Sequence, residues 1–221
     1  YFFALIIVTF LLQAHTSHYK DIIKIEMEVF RNDKKIGYSN FFFEHHNDLM
    51  TVKNYTQFEV KLFGAKVFSI SSEAIEKYKD DSLISFKSKT LQNDKEKYVN
   101  LAYDESKDKF IIKGSSYTGE ANINCVIGNW WNHKILKASK QISPLSGSIK
   151  GQTVKFIGNE NITLYGKNHF VAHYKLKSND EKLADDKKLD FDIWLDKKNN
   201  LILKVVYERM GDWEYRLKSF Q

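Results

Sequence analysis

Ile23-Lys24-Ile25-Glu26-Met27-Glu28-Val29 decides the fold class. Its apolar residues Ile23, Ile25, Met27 and Val29 fall on one side and its charged residues on the other, the period of two that a half-buried β-strand requires. Asn32-Asp33 supplies a turn, Lys35 to His45 is strand-like and rich in Phe, and Asn47-Asp48 turns the chain into Leu49 to Phe63. These three runs read as a meander.

The same pattern continues along the chain. Gly64 reads as a bulge or bend before Val67 to Tyr78, and Lys79-Asp80-Asp81-Ser82 is a turn. Leu83 to Lys89, Tyr98 to Tyr103 and Lys109 to Lys113 follow as strands. Between Gly114 and Gly151 the alternation is lost, and His133 to Lys140 is predicted as a short helix capped by Asn129 or Asn132. Strands resume at Thr153 to Ile157, Ile162 to Tyr165, Phe170 to Lys177 and Leu189 to Leu195. Leu201 to Glu208 and Trp213 to Leu217 close the chain as a hairpin across Met210-Gly211-Asp212. About a dozen strands alternating in this way describe antiparallel sheet with one wet face. So many strands and aromatics are best accommodated by a large curved antiparallel sheet or a half-open or closed β-barrel, with one or two short helices.

Ahead of this region the run Tyr1 to Leu12 carries no charge and is too short to cross a bilayer as a helix. It reads as the apolar part of a signal peptide over residues 1–17, truncated at its N-terminus, with cleavage after Ala14 or Ser17. Residues 18–221 then form one β-rich domain that is exported. Cys125 is the single cysteine, so no disulfide forms within the chain, and a small buried apolar role suits it. The 34 Lys and Arg against 28 Asp and Glu give a net charge of +6, spread along the chain as a solvated surface rather than gathered as a nucleic-acid footprint.

In chain order, Gly37, Phe43-Glu44, Glu76 with Tyr78, Thr90, Asn93-Asp94, Trp131-Asn132, His173-Tyr174, Trp194-Leu195-Asp196 and Glu214-Tyr215-x-Leu217 form a recurring set. This set resembles an uncharacterised family of secreted bacterial proteins, domain-of-unknown-function family 6134; Tyr78 stands where a Trp is usual. The resemblance implies a fold similar to that of periplasmic lipoprotein carriers, a curved sheet around an apolar cavity, and a periplasmic or secreted location. It brings no catalytic residue.

The polar constellations read as structure. His169 and His173 are four apart on a strand, hence about 13 Å from each other, too far to share a metal. His45 and His46 project to opposite faces. Asp190, Asp192 and Asp196 share a strand face as ordinary surface charges, and Ser146 lacks a nucleophile elbow around it. Asn54-Tyr55-Thr56 and Asn161-Ile162-Thr163 match glycosylation sequons that matter only on a eukaryotic secretory route. No enzyme, cofactor, metal or nucleic-acid partner is expected.

The 16 Phe, 12 Tyr and 4 Trp are the unusual resource. Trp130 and Trp131 are adjacent and cannot both enter one core, so one of them is a candidate to line a cavity; Tyr78, Trp194 and Trp213 are further ligand-contact candidates. The expected function is non-enzymatic: binding of a lipid or other apolar molecule inside the curved sheet, with lysines near the opening favouring an anionic headgroup. The alternatives are a structural or protein-interaction component of the cell envelope with a filled core, and an outer-membrane β-barrel.

Overall fold

The structure, a computed structural model, describes residues 19–221. The expected signal segment 1–17 therefore lies outside the described residues. Fifteen strands follow one another: β1 (Lys24–Arg31), β2 (Lys34–His46), β3 (Leu49–Leu62), β4 (Ala65–Lys79), β5 (Ser82–Gln92), β6 (Lys95–Asp104), β7 (Lys109–Gly114), β8 (Thr118–Asn122), β9 (Val126–Ile127), β10 (Lys140–Ile142), β11 (Ile149–Leu164), β12 (Lys167–Ser178), β13 (Asp190–Asp196), β14 (Ile202–Glu208) and β15 (Asp212–Phe220).

Local turn chemistry sets most of this order. Asn32-Asp33, Asp80-Asp81 and Asn93-Asp94 all sit at positive φ, which the short polar side chains of Asn and Asp tolerate, and each closes a two-residue hairpin between flanking strands. Between the turns buried and exposed residues alternate, the buried ones mostly apolar with a few polar exceptions such as Ser72 and Glu76. β4 is the clearest case: from Ile70 to Lys79 every second residue is buried, and Glu73 and Lys77 point out.

The strands form one sheet in the order β8-β7-β6-β5-β4-β3-β2-β1-β15-β14-β13-β12-β11-β10-β9, antiparallel except for β9 beside β10. β8 and β9 are its opposite edges, yet only residues 123–125 join them. Four Cα steps span at most about 14 Å, so the sheet must roll until its edges approach. Its hydrogen-bonded ladder nonetheless stays open. The gap is bridged by the loop after β10: Ser116 N–H donates to the Ser146 carbonyl at 3.0 Å and Ser88 Oγ to the Pro144 carbonyl at 2.6 Å. Gly114 permits this approach, because a Cβ there would stand 2.5 Å from the Ser146 oxygen.

Several local expectations are corrected. The helix predicted over His133 to Lys140 is one 3-10 turn, His133–Leu136, with the Asn132 side chain accepting the Lys134 N–H. A second 3-10 turn occupies Asp185–Lys187. Thr153 to Ile157 and Ile162 to Leu164 belong to one long strand, β11, with an irregularity between Phe156 and Gly158 that scrambled the alternation, and Tyr165 instead opens the turn that follows. Gly64 is neither bulge nor bend within a strand but the second residue of the β3–β4 hairpin. β8, β9 and β10 escaped the sequence reading because two to five residues are too few to show a period.

The buried residues lie on the concave side. One cluster gathers Ile25, Met27, Phe43, Met50, Tyr78 and Trp131, and another Phe86, Val99, Leu101, Phe110 and Ile112. The convex face carries ion pairs such as Lys53–Glu44, Lys107–Glu120 and Lys175–Asp192. A membrane-spanning barrel needs an apolar outer band. Among the described residues no helix is long and apolar enough to cross a membrane.

Candidate functional site: the cavity inside the rolled sheet

A cavity of about 490 Å³ occupies the concave side. It has a floor, two dissimilar walls and a charged rim.

The floor is built around Glu76. β4 directs Ala74, Glu76 and Tyr78 inward, and the carboxylate of Glu76 is 1% exposed. Tyr78 Oη donates to its Oε2 at 2.6 Å, while Asn129 Nδ2 and Trp131 Nε1 donate to its Oε1 at 2.7 and 2.9 Å. Burial pushes the Glu76 carboxyl from 4.5 up to about 7, against the three hydrogen bonds that favour the carboxylate. The Tyr78 hydroxyl is held well above the ordinary phenol range, first by its own burial and then by Glu76. Beneath this group Trp131 is wedged edge-on against Tyr19, Phe43 and Tyr78 at ring separations of 4.8, 5.2 and 5.6 Å. Tyr19 Oη also donates to the Trp131 carbonyl and accepts the His133 N–H, both at 3.0 Å, which anchors the segment preceding β1 to the floor.

The first wall comes from β2 to β5. Register places Ser39 opposite Thr56, Thr56 opposite Ser72, and Ser72 opposite Thr90, so four hydroxyl side chains cross four neighbouring strands in one row. Asn54 Nδ2 donates to Ser39 Oγ at 3.2 Å and Thr56 Oγ1 to Asn54 Oδ1 at 3.1 Å. Ser39 must therefore donate in its 2.7 Å contact with Thr56, which closes a three-membered ring. In the Ser72–Thr90 pair, 2.7 Å apart, one hydroxyl donates to the other, and the second keeps a hydrogen with no acceptor among the described residues. Rows of Phe58 with Ile70, and Phe41 with Ala74, border the hydroxyl row on either side.

The facing wall is aromatic: Phe191 of β13, Tyr207 of β14, Tyr215 of β15, and Trp130, which stands edge-on to Phe191 at 5.0 Å. Burial raises the Tyr215 phenol to about 12. The rim carries Lys150, Lys188 and Arg209 together with Asp185, Asp190 and Glu208, three charges of each sign. Lys188 pairs with Asp185 at 2.9 Å, and Arg209 Nη2 donates to the Lys188 carbonyl at 3.2 Å. The rim thus lacks the cationic excess expected from the lysine-rich composition.

Of the sequence candidates, Trp130 lines the cavity, and Tyr78 and Trp131 hold Glu76 at its floor. Trp213 is packed behind the rim between Tyr207, Phe58 and Phe68, its Nε1 donating to the Arg209 carbonyl at 2.9 Å. Trp194 is on the convex face, stacked on His173 at 4.5 Å and donating to Glu160 at 2.6 Å. His173 lies between Glu160 and Asp192 there, and among the described residues no group of three or more His, Cys, Asp or Glu is placed to hold a metal ion. Glu76 and Thr90 belong to the set that carries the family resemblance but were given no site role, and Ser39, Thr56 and Ser72 were missed. The available signal for the row was a hydroxyl residue at an inward position of four successive strands.

No curated protein matches the chain. Among solved structures it is similar to a β-barrel-like protein of domain of unknown function DUF1849 from Brucella abortus, with 11% identity, 90% of this chain and 95% of that chain covered, and a TM-score of 0.58. That likeness concerns the fold alone. A protein with a YmcC-like fold from Bacteroides fragilis aligns over 90% of this chain and 94% of its own at 10% identity, with a TM-score of 0.37. Residues 27–218 match the family described as domain of unknown function (DUF6134), and the chain belongs to that family.

Proposed function

We propose that the protein is an exported, non-enzymatic carrier that holds one amphipathic molecule of lipid character in the cavity. The supporting observation is the cavity itself: about 490 Å³ lies within the range of small-molecule sites, and interiors packed to ordinary density leave few voids larger than a water molecule. This disfavours the reading of a component with a filled core.

The walls refine the ligand. Hydrocarbon laid against Phe191, Tyr215 and Trp130 would leave water at roughly 25 cal/mol per Å². A carbonyl or ether oxygen partway along the molecule would accept the spare hydrogen of the Ser72–Thr90 pair. With the rim charges balanced, selectivity rests on this wall rather than on an anionic headgroup.

Protein purified without detergent from a bacterial periplasm should carry a lipid extractable into organic solvent and identifiable by mass spectrometry. Delipidated protein should bind an apolar fluorescent probe that the lipid displaces. Failure of both would sink the reading.

A further inference from the structure

β3 and β4 outrun their neighbours. β2 last pairs with β3 at Gly37–Phe58, and β5 reaches β4 only from Ile70, so residues 59–69 form a two-stranded ribbon bonded chiefly to itself. It extends roughly 13 Å past the sheet at 3.3 Å per residue. Its inner face is anchored: Val60 is buried and Phe68 packs on Trp213 and Phe58, in a cluster that reaches Leu145 and Tyr207 of the cavity lining.

The tip is different. Leu62 is 54%, Val67 50% and Phe63 100% exposed. Phe63 occupies the first turn position at φ +49°, where a bulky residue is disfavoured and where Asn or Asp stands in the Asn32, Asp80 and Asn93 turns. The fold gains no packing from this ring. Uncharged Leu62-Phe63-Gly64-Ala65 is bracketed by Lys61 and Lys66, whose ion pairs with Glu59 at 3.0 Å and Asp94 at 3.5 Å are exposed and weak. Met210, 88% exposed, adds an apolar turn residue in the β14–β15 hairpin, beside the rim residues Glu208 and Arg209.

We propose that this tip inserts into the interfacial layer of an anionic lipid bilayer, so that the cavity rim is seated on the membrane. Two lysines on flexible stems either side of an apolar point match that boundary: the ring and leucine enter the acyl region while the ammonium groups reach the phosphates. The proposal stands on the ribbon and would hold whether or not the cavity carries a ligand.

The test is co-sedimentation of the whole protein with vesicles of phosphatidylcholine, alone or mixed with phosphatidylglycerol. The wild type should partition onto the mixed vesicles, and more weakly onto the neutral ones. Phe63→Asn creates an Asn-Gly turn that hairpins favour, so the fold is kept, and partitioning should fall roughly tenfold or more from the loss of one buried Phe. Lys61→Gln with Lys66→Gln should weaken binding to the mixed vesicles only. A wild type that ignores both vesicles, equal binding to the two, or an unchanged Phe63→Asn variant would overturn the proposal. So would Phe63-dependent dimerisation in vesicle-free solution, which would assign the tip to a second copy of the chain. Probe binding by Phe63→Asn without vesicles separates this outcome from failure of the cavity reading, since it should equal the wild type's.

Discussion

The cavity floor and the ribbon at its rim each turn on one aromatic residue, yet Trp131 is 1% exposed and Phe63 is 100% exposed. Trp131 has three aromatic neighbours and a carboxylate acceptor, whereas Phe63 stands outside the sheet on a turn of unfavourable backbone. An aromatic ring with all its contacts made contributes to the fold. A ring with none contributes nothing to stability in solution and calls for a partner elsewhere. The contrast predicts a graded series of effects.

The largest belongs to the floor. Trp131→Ala should lower stability by about 3–5 kcal/mol, the range for truncating a large buried aromatic, measured as a shift in denaturation midpoint at unchanged slope. A change below about 1 kcal/mol would mean that the floor is no more essential than the tip.

Glu76 sharpens the same point through pH. Its folded carboxyl titrates near 7 and its unfolded one near 4.5, so between these values the native state holds more protons than the unfolded chain. Stability conferred by the protonated form is therefore lost as pH rises through that window, amounting to at most roughly 3 kcal/mol. Glu76→Gln cannot titrate, so its stability relative to wild type should improve from pH 4.5 to 7 and level off above. A flat difference would place the carboxyl in a more polar setting than the floor described here. At more acidic pH the trend reverses, because Glu28 and Glu214, held below the usual carboxylate range by Lys35 and Arg216 despite partial burial, must then be protonated.

A smaller effect is expected from the hydroxyl wall. Ser72→Ala removes one partner of a buried pair and should cost about 1 kcal/mol in stability. It should also weaken binding of an ester-bearing lipid more than that of a plain alkyl probe; equal losses would deny the wall its selective role. The smallest effect belongs to Phe63→Asn, whose solution stability should stay within about 0.5 kcal/mol of wild type or rise slightly, as suits an exposed site given better turn chemistry. A large loss there would erase the contrast between floor and tip.

How much of this was legible in the chain depended on range. The Ile23 to Val29 alternation and the Asn32-Asp33 turn act between near neighbours, and the β1–β2 hairpin forms where it was expected. The seam strands were too short to show a period, and the irregularity near Gly158 hid the continuity of β11. Within the site, Trp130, Trp131 and Tyr78 stood out as aromatics, while Glu76 stood out only as part of the family's residue set, with nothing in the alternation of its strand to show that its carboxylate is buried.

For the longer alternating strands, strand identity and the division into a wet and a dry face were thus set by the chain alone, because side-chain period and turn conformation operate over a few residues. Tertiary structure alone decided that the sheet rolls, that Asn129 and Trp131 reach a carboxylate 53 and 55 residues away, and that a hydroxyl wall faces an aromatic one. Burial and hydrogen-bond partners across the roll depend on which distant strands meet, and no local period encodes that meeting.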